Sequence, residues 1–273
     1  MLRSMYSGIG GLRGFQTKLD VIGNNIANVN TTGFKKSRVM FQDIFSQTMA
    51  GGSAGTNGTG TTTGTGGTNP KQVGLGSTIA AIDTIHKGGN LQMTNKSSDV
   101  GIEGNGYFIV KDASGESFLT RDGNFHFDNE GNLVTANGMF VLDNSTSGNK
   151  ITIPTDYKEY SIGVDGKITY TKKDGTQATA GPIGLAMVAN PDGLEKAGMN
   201  TYKYNSPAAG TPKVGTPKSD SYGILRSSML EMSNVDLSEE FTEMIVAQRG
   251  FQANSRIITT SDSILEELVN LKR

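Results

Sequence analysis

The stretch LRSMYSGIGGLRGFQTKLDVIGNNIA, residues 2–27, decides the fold, because its apolar side chains recur at steps of three and four residues. That spacing draws one stripe along an α-helix, so the segment is predicted to form a long amphipathic helix. Several glycines lie inside it, and each costs roughly 1 kcal/mol relative to alanine. We therefore expect a helix that forms only against partners, with small residues allowing close backbone approach. The stripe consists of Leu2, Met5, Ile9, Leu12, Phe15, Leu19, Ile22 and Ile26.

A second amphipathic helix is predicted at the carboxyl end, after SNVDLSEEF, residues 233–241. Ser238 is a candidate N-cap, and the glutamates that follow it complement the positive end of a helix of about 30 residues. The two helices could form an antiparallel pair that clasps a domain, or they could pair with each other and with copies from other molecules. The second arrangement is favoured because the middle of the chain has the pattern of a self-contained β body. The apolar positions chosen for this helix are Phe241, Met244, Phe251, Ile258, Leu265 and Leu268.

The middle of the chain contains a low-complexity stretch followed by many strand and turn signals. Residues 50–69, AGGSAGTNGTGTTTGTGGTN, lack large apolar side chains, so we expect a linker that is flexible in the monomer. Beyond it, DG and NG dipeptides between alternating apolar and polar residues predict β-hairpins. These dipeptides are Asp122-Gly123, Asn137-Gly138, Asp165-Gly166 and Asp174-Gly175.

The predicted fold class is therefore α+β, with a discontinuous coiled-coil-like domain formed by the N- and C-terminal helices. An extended Gly/Thr-rich linker and an antiparallel β-rich central domain complete it. We expect residues 1–29 and 236–273 in the helical domain, residues 30–73 in the linker and residues 74–235 in the β-rich domain. The 37 glycines and the absence of tryptophan agree with a β-rich body that has many tight turns.

Composition and motifs argue against several classes of function. The 25 basic and 26 acidic residues leave a formal net charge of -1, which disfavours nucleic acid and anionic membranes as partners. Without cysteine, and with His86 and His126 at no metal-ligand spacing, no metal or cofactor is expected. GIEGNGYF, residues 101–108, has turn glycines rather than a phosphate-binding loop, and no G-x-S-x-G elbow occurs.

Two other classes remain as alternatives, a secreted carbohydrate-binding β module and a hydrolase, although few aromatic residues are available for sugar stacking. No positive sign of an enzyme is present. The amino-terminal residues MLRSMYSGIGGLRGFQ are interrupted by Arg3 and Arg13, so they resemble neither a Sec-type signal peptide nor a membrane span. If the protein leaves the cell, we expect a different export route.

NNIANVNTTGF, residues 24–34, places a cluster of amides directly after the first helix. Asparagine tolerates the left-handed conformation and bonds to nearby backbone, so these residues are predicted to end the helix and turn the chain. Side-chain amides are also donors and acceptors without fixed charge, so a second hypothesis is that they bridge neighbouring subunits. The predicted amide-rich hinge consists of Asn24, Asn25, Asn28, Asn30, Gly33 and Phe34.

Three long motifs resemble those of bacterial flagellar axial proteins, the family of hook and rod subunits. They are LDVIGNNIANVNTTGFKKS (residues 19–37), the β-domain segments GNLQMTNKSSDVGIEGNGYFIVKD and FLTRDGNFHFDNEGNLVTANG, and SNVDLSEEFTEMIVAQRGFQANSRIITTSDSILEELVNLKR (residues 233–273). The resemblance covers both ends and much of the middle, in the order typical of the family.

The resemblance implies a structural subunit of a helical tube, with terminal helices lining the channel and the β domain outside. It also implies self-assembly, contact with other axial proteins, the hook cap and junction proteins, and export without a cleaved signal peptide through the flagellar type III apparatus. The terminal motifs favour a hook subunit, a flexible joint in the extracellular flagellum. The length favours the alternative, a distal rod subunit that acts as a rigid drive shaft. The sequence alone favours the hook.

Overall fold

A computed structural model describes residues 2–55, 66–145, 148–204, 207–219 and 221–271. Helix α1 (Leu2–Ala27) opens the chain and helix α2 (Leu237–Asn270) closes it. Within the described residues, neither helix is both long enough and apolar enough to span a lipid bilayer. The strands between them are β1 (Ser37–Asp43), β2 (Ser46–Ala50), β3 (Lys71–Gly74), β4 (Ser77–Thr84), β5 (Leu91–Met93), β6 (Val100–Glu103), β7 (Tyr107–Lys111), β8 (Ser117–Thr120), β9 (Phe125–Phe127), β10 (Leu133–Thr135), β11 (Phe140–Val141), β12 (Tyr157–Ile162), β13 (Ile168–Lys172), β14 (Gln177–Ala180), β15 (Leu185–Met187), β16 (Glu195–Gly198), β17 (Thr201–Lys203), β18 (Lys213–Gly215), β19 (Ile224–Ser227) and β20 (Met229–Glu231). The predicted α+β class, with terminal helices around an antiparallel β-rich region, is confirmed.

The chain forms two compact units. The helical unit combines Met1–Asn24, Ser37–Asp83 and Ser238–Arg273, and the β-rich unit combines Asn25–Lys36 with Thr84–Leu237. These groupings differ from the predicted bounds, because the range treated as a linker contains β1, β2 and β3. Strand β1 pairs with β4, and β2 pairs with β3. The segments on both sides of the low-complexity stretch therefore form two small two-stranded sheets. Residues 56–65, which make up half of that stretch, lie outside the described residues, and the expected flexibility of the stretch stays a prediction.

Helix α2 begins two residues earlier than a Ser238 cap would place it. Because its first residue is Leu237, Asp236 takes the position before the helix, and Ser238 lies in the first turn. The predicted Ser238 cap is therefore wrong, since an aspartate that favours this position equally well precedes it. Glu239 and Glu240 lie in the first turn, where their charge complements the helix dipole.

The core of the β-rich unit lies around an antiparallel sheet with strand order β16-β17-β8-β7-β11-β10-β9, to which β15 and β18 are added beside β7. Strand β7 alternates between two buried clusters. Phe108 and Val110 belong to one cluster, whereas Tyr107 and Ile109 belong to the other. A strand with both faces covered has no solvent face, which explains why YFIV is a continuous apolar run.

Most of the predicted hairpin turns are confirmed. Asn137-Gly138 joins the paired strands β10 and β11, Asp165-Gly166 joins β12 and β13, and Asp174-Gly175 joins β13 and β14. The prediction at Asp122-Gly123 is wrong, because the flanking β8 and β9 pair with other strands. A Cβ atom at Gly123 would lie 1.7 Å from the Val100 carbonyl oxygen, so this glycine permits close packing rather than a hairpin.

Candidate polymerisation surface and strap segment

The two terminal helices pack antiparallel in the helical unit. Along the pair, Ser4 lies opposite Ser261, with their hydroxyl oxygens 3.5 Å apart. Toward the C-terminal end of α1 and the N-terminal end of α2, the Lys18 ammonium lies 2.9 Å from the Glu243 carboxylate. The antiparallel pairing considered from the sequence is therefore present within one chain.

Glycines set the distance between these helices. A Cβ atom at Gly11 would lie 2.8 Å from the Asn254 amide nitrogen, and one at Gly250 would lie 2.5 Å from the Phe15 ring. The glycines that weaken the helix propensity of α1 thus allow the close approach that the sequence predicted. Gly14 plays the same part toward strand β1, because a Cβ there would lie 2.7 Å from the Phe41 ring.

The predicted polymerisation residues differ in how far they are exposed. The side chain of Leu2 lies outside the part that the structure describes. Ile22 is buried, whereas Leu12, Phe15, Leu19, Ile26, Met244, Ile258 and Leu265 are half-buried. The exposed members are Ile9, Phe241, Phe251 and Leu268.

Sequence analysis missed other exposed apolar residues of the helical unit. Val246 and Val269 lie on α2 outside the predicted stripe and are more than half exposed. Phe45 and Met49, at the β2–β3 hairpin, are 89% and 71% exposed. The residues SQTMA do not alternate between apolar and polar types, so the sequence pattern predicted no strand there. The helical unit therefore offers more apolar surface than the predicted stripe alone.

The amide-rich stretch leads into a strap segment, residues 25–36, that belongs to the β-rich unit. Helix α1 ends at Ala27, and the Thr31 backbone N–H donates to the Asn28 carbonyl in the turn that follows. Asn25 is buried within the fold, whereas Asn24 and Asn30 are exposed. The predicted helix end is thus observed, and the hinge and bridging roles stay predictions.

Gly33 fixes the path of the strap segment. Its φ of +68° lies in the left-handed region, and a Cβ atom there would meet the Asp122 backbone nitrogen at 2.7 Å. Its N–H donates to the Glu231 carbonyl oxygen at 2.8 Å. On either side, the Thr32 hydroxyl donates to the Asp122 carboxylate at 2.9 Å, and the Phe34 ring lies under the Lys196 ammonium. Burial raises the pKa of Asp122, an effect that the hydrogen bond from Thr32 opposes.

A buried ion network secures the end of the strap segment. The Lys35 ammonium donates to the Glu231 carboxylate and to the Lys87 carbonyl oxygen, and Arg121 donates to the other Glu231 oxygen at 3.1 Å. The side chains of all three charged residues are at most 4% exposed. Burial lowers the pKa of Lys35, while the Glu231 carboxylate acts in the opposite direction. Sequence reasoning missed this network, because its members are far apart in the chain and no local spacing links them.

Three family models each match one segment of the chain. A flagella basal body rod protein model matches residues 5–35, a flagellar hook protein FlgE/F/G D1 domain model matches residues 101–170, and a flagellar basal body rod FlgEFG protein C-terminal model matches residues 226–271. The chain is also 55% identical over 273 residues to the flagellar basal-body rod protein FlgG of Bacillus subtilis (strain 168), covering 100% of both.

The chain belongs to the flagellar hook and basal-body rod protein family. Members of this family are structural components of the flagellar hook and basal body, and the resemblance seen in the sequence is confirmed. Lys35, Arg121 and Glu231 come one from each of the three matched segments, so the buried network joins residues of all three.

Comparison with individual members bears on the choice between hook and rod. FlgG of Borreliella burgdorferi is 39% identical over 276 residues, with 100% of both chains covered. The flagellar hook protein FlgE of the same organism is 30% identical, also with full coverage, but its alignment extends over 449 residues. This chain has 273 residues, so the hook protein carries long insertions that this chain lacks. The comparisons therefore favour the rod alternative over the hook that the sequence motifs favoured.

Proposed function

We propose that this chain is a distal rod subunit of the flagellar basal body, which polymerises into a helical tube and transmits torque as a drive shaft. The observation that carries the proposal is the 55% identity to a FlgG rod protein, in an alignment no longer than the chain itself. The sequence motifs that favoured the hook are also those that match models shared by hook and rod proteins.

The exposed apolar residues of the helical unit support assembly from many copies. Phe241, Ile245 and Val246 are each at least half exposed on consecutive turns of α2. Each large apolar side chain gains about 1.5–3 kcal/mol when it is fully buried, so a neighbouring helical unit is the partner that this surface fits. In this proposal, the channel is lined by terminal helices, and adjoining axial proteins contact the two ends of the tube.

Export by the flagellar type III apparatus completes the proposal. The glycines of α1 lower its helix propensity outside the packed unit, which suits passage through a narrow channel in an unfolded state. Folding of the helical pair is then coupled to arrival at the growing end. The exposed amides of Asn24 and Asn30 are the ones suited to contact a neighbouring subunit, whereas Asn25 supports the fold.

A hook subunit is the second candidate, because the FlgE hook protein of Borreliella burgdorferi aligns with the whole chain. Electron microscopy of basal bodies purified from cells that lack this chain distinguishes the two. A rod that stops before its outer section supports the distal rod. A complete rod without a hook would overturn the rod proposal in favour of the hook. Restoration by the intact gene is the control.

A further inference from the structure

Asparagine followed directly by glycine occurs at three places in the chain, and this dipeptide can lose its side-chain amide spontaneously. Glycine has no Cβ atom to shield its backbone nitrogen, so that nitrogen can attack the preceding carboxamide. In a folded protein the attack depends on how easily the backbone opens at the dipeptide. Asn105-Gly106 and Asn137-Gly138 belong to the β-rich unit, whereas Asn57-Gly58 lies outside the described residues.

Asn137-Gly138 lies in the turn between strands β10 and β11. Both residues are exposed, and a Cβ atom at Gly138 would have no described neighbour within 4 Å beyond the residues next to it in sequence. The Gly138 N–H donates to the Thr135 carbonyl oxygen at 2.9 Å, which is a hydrogen bond within the turn itself. Exposed turn hydrogen bonds open locally while the rest of the fold stays intact. Attack by the Gly138 nitrogen therefore requires only a local fluctuation.

Asn105-Gly106 has the same residues, but tertiary contacts hold it. Gly106 is buried, and a Cβ atom there would lie 3.5 Å from the Leu185 side chain. The Asn105 carbonyl oxygen accepts a hydrogen bond from the Gly223 N–H at 2.8 Å. Strand β7 begins at the next residue, Tyr107, and runs through the core. Movement of the Gly106 nitrogen toward the Asn105 carboxamide would therefore disturb a core strand.

We propose that Asn137 is a site of spontaneous modification, where the folded chain converts asparagine to aspartate and isoaspartate with solvent water as the co-reactant. The Gly138 nitrogen loses its proton to solvent base and bonds to Asn137 Cγ. The Cγ–Nδ2 bond breaks, and the nitrogen takes up a proton and leaves as ammonia. Water then adds to either carbonyl carbon of the resulting succinimide and opens the ring, so the net reaction exchanges ammonia for water.

Both products change the turn between β10 and β11. Each converted chain gains a negative charge, and isoaspartate also routes the main chain through the side-chain carbon. The Thr135 N–H donates to the Met139 carbonyl oxygen at 2.9 Å across this turn, so the hairpin depends on the length of the connection. We therefore expect a looser hairpin in the isoaspartate form than in the aspartate form. The inference is independent of the proposed function, because neither Asn137 nor Gly138 belongs to the helical unit.

The test is to incubate the folded, full-length chain in mildly alkaline buffer made with heavy-oxygen water and to follow each Asn-Gly peptide by mass spectrometry. The heavy oxygen marks conversion during the incubation and separates it from conversion during digestion in ordinary water. We expect Asn137 to convert at least about tenfold faster than Asn105, because opening at the buried Gly106 costs more free energy. In guanidinium chloride the two rates should be similar, since the fold alone distinguishes the sites.

The folded chain can also overturn the proposal. An unconverted Asn137, or a rate no higher than that of Asn105, would show that the turn protects its own amide. Asn137→Gln isolates the site, because glutamine would have to form a larger and less favoured ring, so its peptide should gain no heavy oxygen over the same period. The matched control is Asn105→Gln, which should leave conversion at Asn137 unchanged. Equal labelling of the Asn137→Gln peptide would contradict the assignment to Asn137.

Discussion

The β-rich unit and the helical unit handle their apolar side chains in opposite ways. In the β-rich unit, strand β7 sends successive residues into two clusters, and Phe108 is completely buried. In the helical unit, two helices bury one face against each other, and Phe241 remains 50% exposed. One unit completes its core within the chain, whereas the other retains apolar surface that a second molecule could cover.

The two units also use polar groups differently. The β-rich unit secures its strap segment with the buried Lys35–Glu231–Arg121 network, whose geometry tolerates little displacement. The helical unit relies on glycines that bring backbones together and on the partly exposed pair Lys18–Glu243. This contrast suits a subunit whose β-rich unit folds first and whose helical unit gains stability on assembly. Substitutions made separately in the β-rich unit and in the helical unit test this contrast.

The largest effect is expected from Phe108→Ala in the β-rich unit. Removing a fully buried ring leaves a cavity and should lower the free energy of unfolding by about 3–5 kcal/mol. Urea unfolding followed by far-ultraviolet circular dichroism measures this change. Tyr6→Ala, which alters a 72% exposed aromatic residue on α1, is the control and should change stability little. A loss below about 1 kcal/mol for Phe108→Ala would contradict a closed core.

The next largest effect is expected when the buried network loses its only carboxylate. Glu231→Gln leaves Lys35 and Arg121 buried without a counter-charge and should cost about 3 kcal/mol. The matched control is Glu103→Gln, which breaks an exposed pair with Arg226 and should change stability by about 0.5 kcal/mol or less. Both are measured by urea unfolding of the full chain. Equal effects would show that the network contributes no more than a surface pair.

Two glycines on the helices should respond to alanine with opposite signs. At Gly250 a Cβ atom would lie 2.5 Å from the Phe15 ring, so overpacking should outweigh the gain in helix propensity and cost about 1 kcal/mol. At Gly23 no heavy atom lies within 4 Å of that position, so Gly23→Ala should stabilise α1 by up to about 1 kcal/mol. Thermal unfolding of the two variants, side by side, checks the difference. Stabilisation by both would mean that the helices do not pack closely at Gly250.

Local pattern predicted much of this architecture, and the failures share a cause. The helices follow from apolar spacing, and the turn at Asn137-Gly138 follows from residue type, because both depend on neighbours in sequence. Asp122-Gly123 has the same local signature, but its strands pair elsewhere, and only tertiary contacts decide that. The Lys35–Glu231 contact joins residues separated by 196 positions, so no spacing could reveal it. Hook and rod proteins match models of the same terminal segments, so only similarity over the whole length favours one of them, the rod.

A pH-dependent effect is expected from His86. Burial lowers the pKa of His86 from 6.5 to about 4, and nearby Lys35, Arg121 and Lys196 add to this, while Asp192 opposes it. A base with a depressed pKa in the folded state contributes stability that is fully present above pH 6.5 and is lost as the pH falls toward 4. The difference in unfolding free energy between the intact chain and His86→Phe should therefore shrink across this window. A difference that stays constant would mean that His86 titrates normally in the fold.

The smallest effect on the monomer is expected from Phe241→Ala. This substitution is also the sharpest test of the contrast between the closed core of the β-rich unit and the exposed apolar surface of the helical unit. The chemical change is the same as in Phe108→Ala, but half of this ring already faces solvent, so monomer stability should change by about 0.5 kcal/mol or less. If a second copy covers the exposed half, about 1 kcal/mol is lost from each subunit contact, which raises the critical concentration for polymerisation roughly fivefold. Sedimentation of polymer against total protein measures this value, with Gln248→Ala as an exposed polar control on α2. A Phe241→Ala chain that assembles normally would show that this face of the helical unit stays in water, and the polymer contact would then lie on other exposed residues such as Phe45 and Met49.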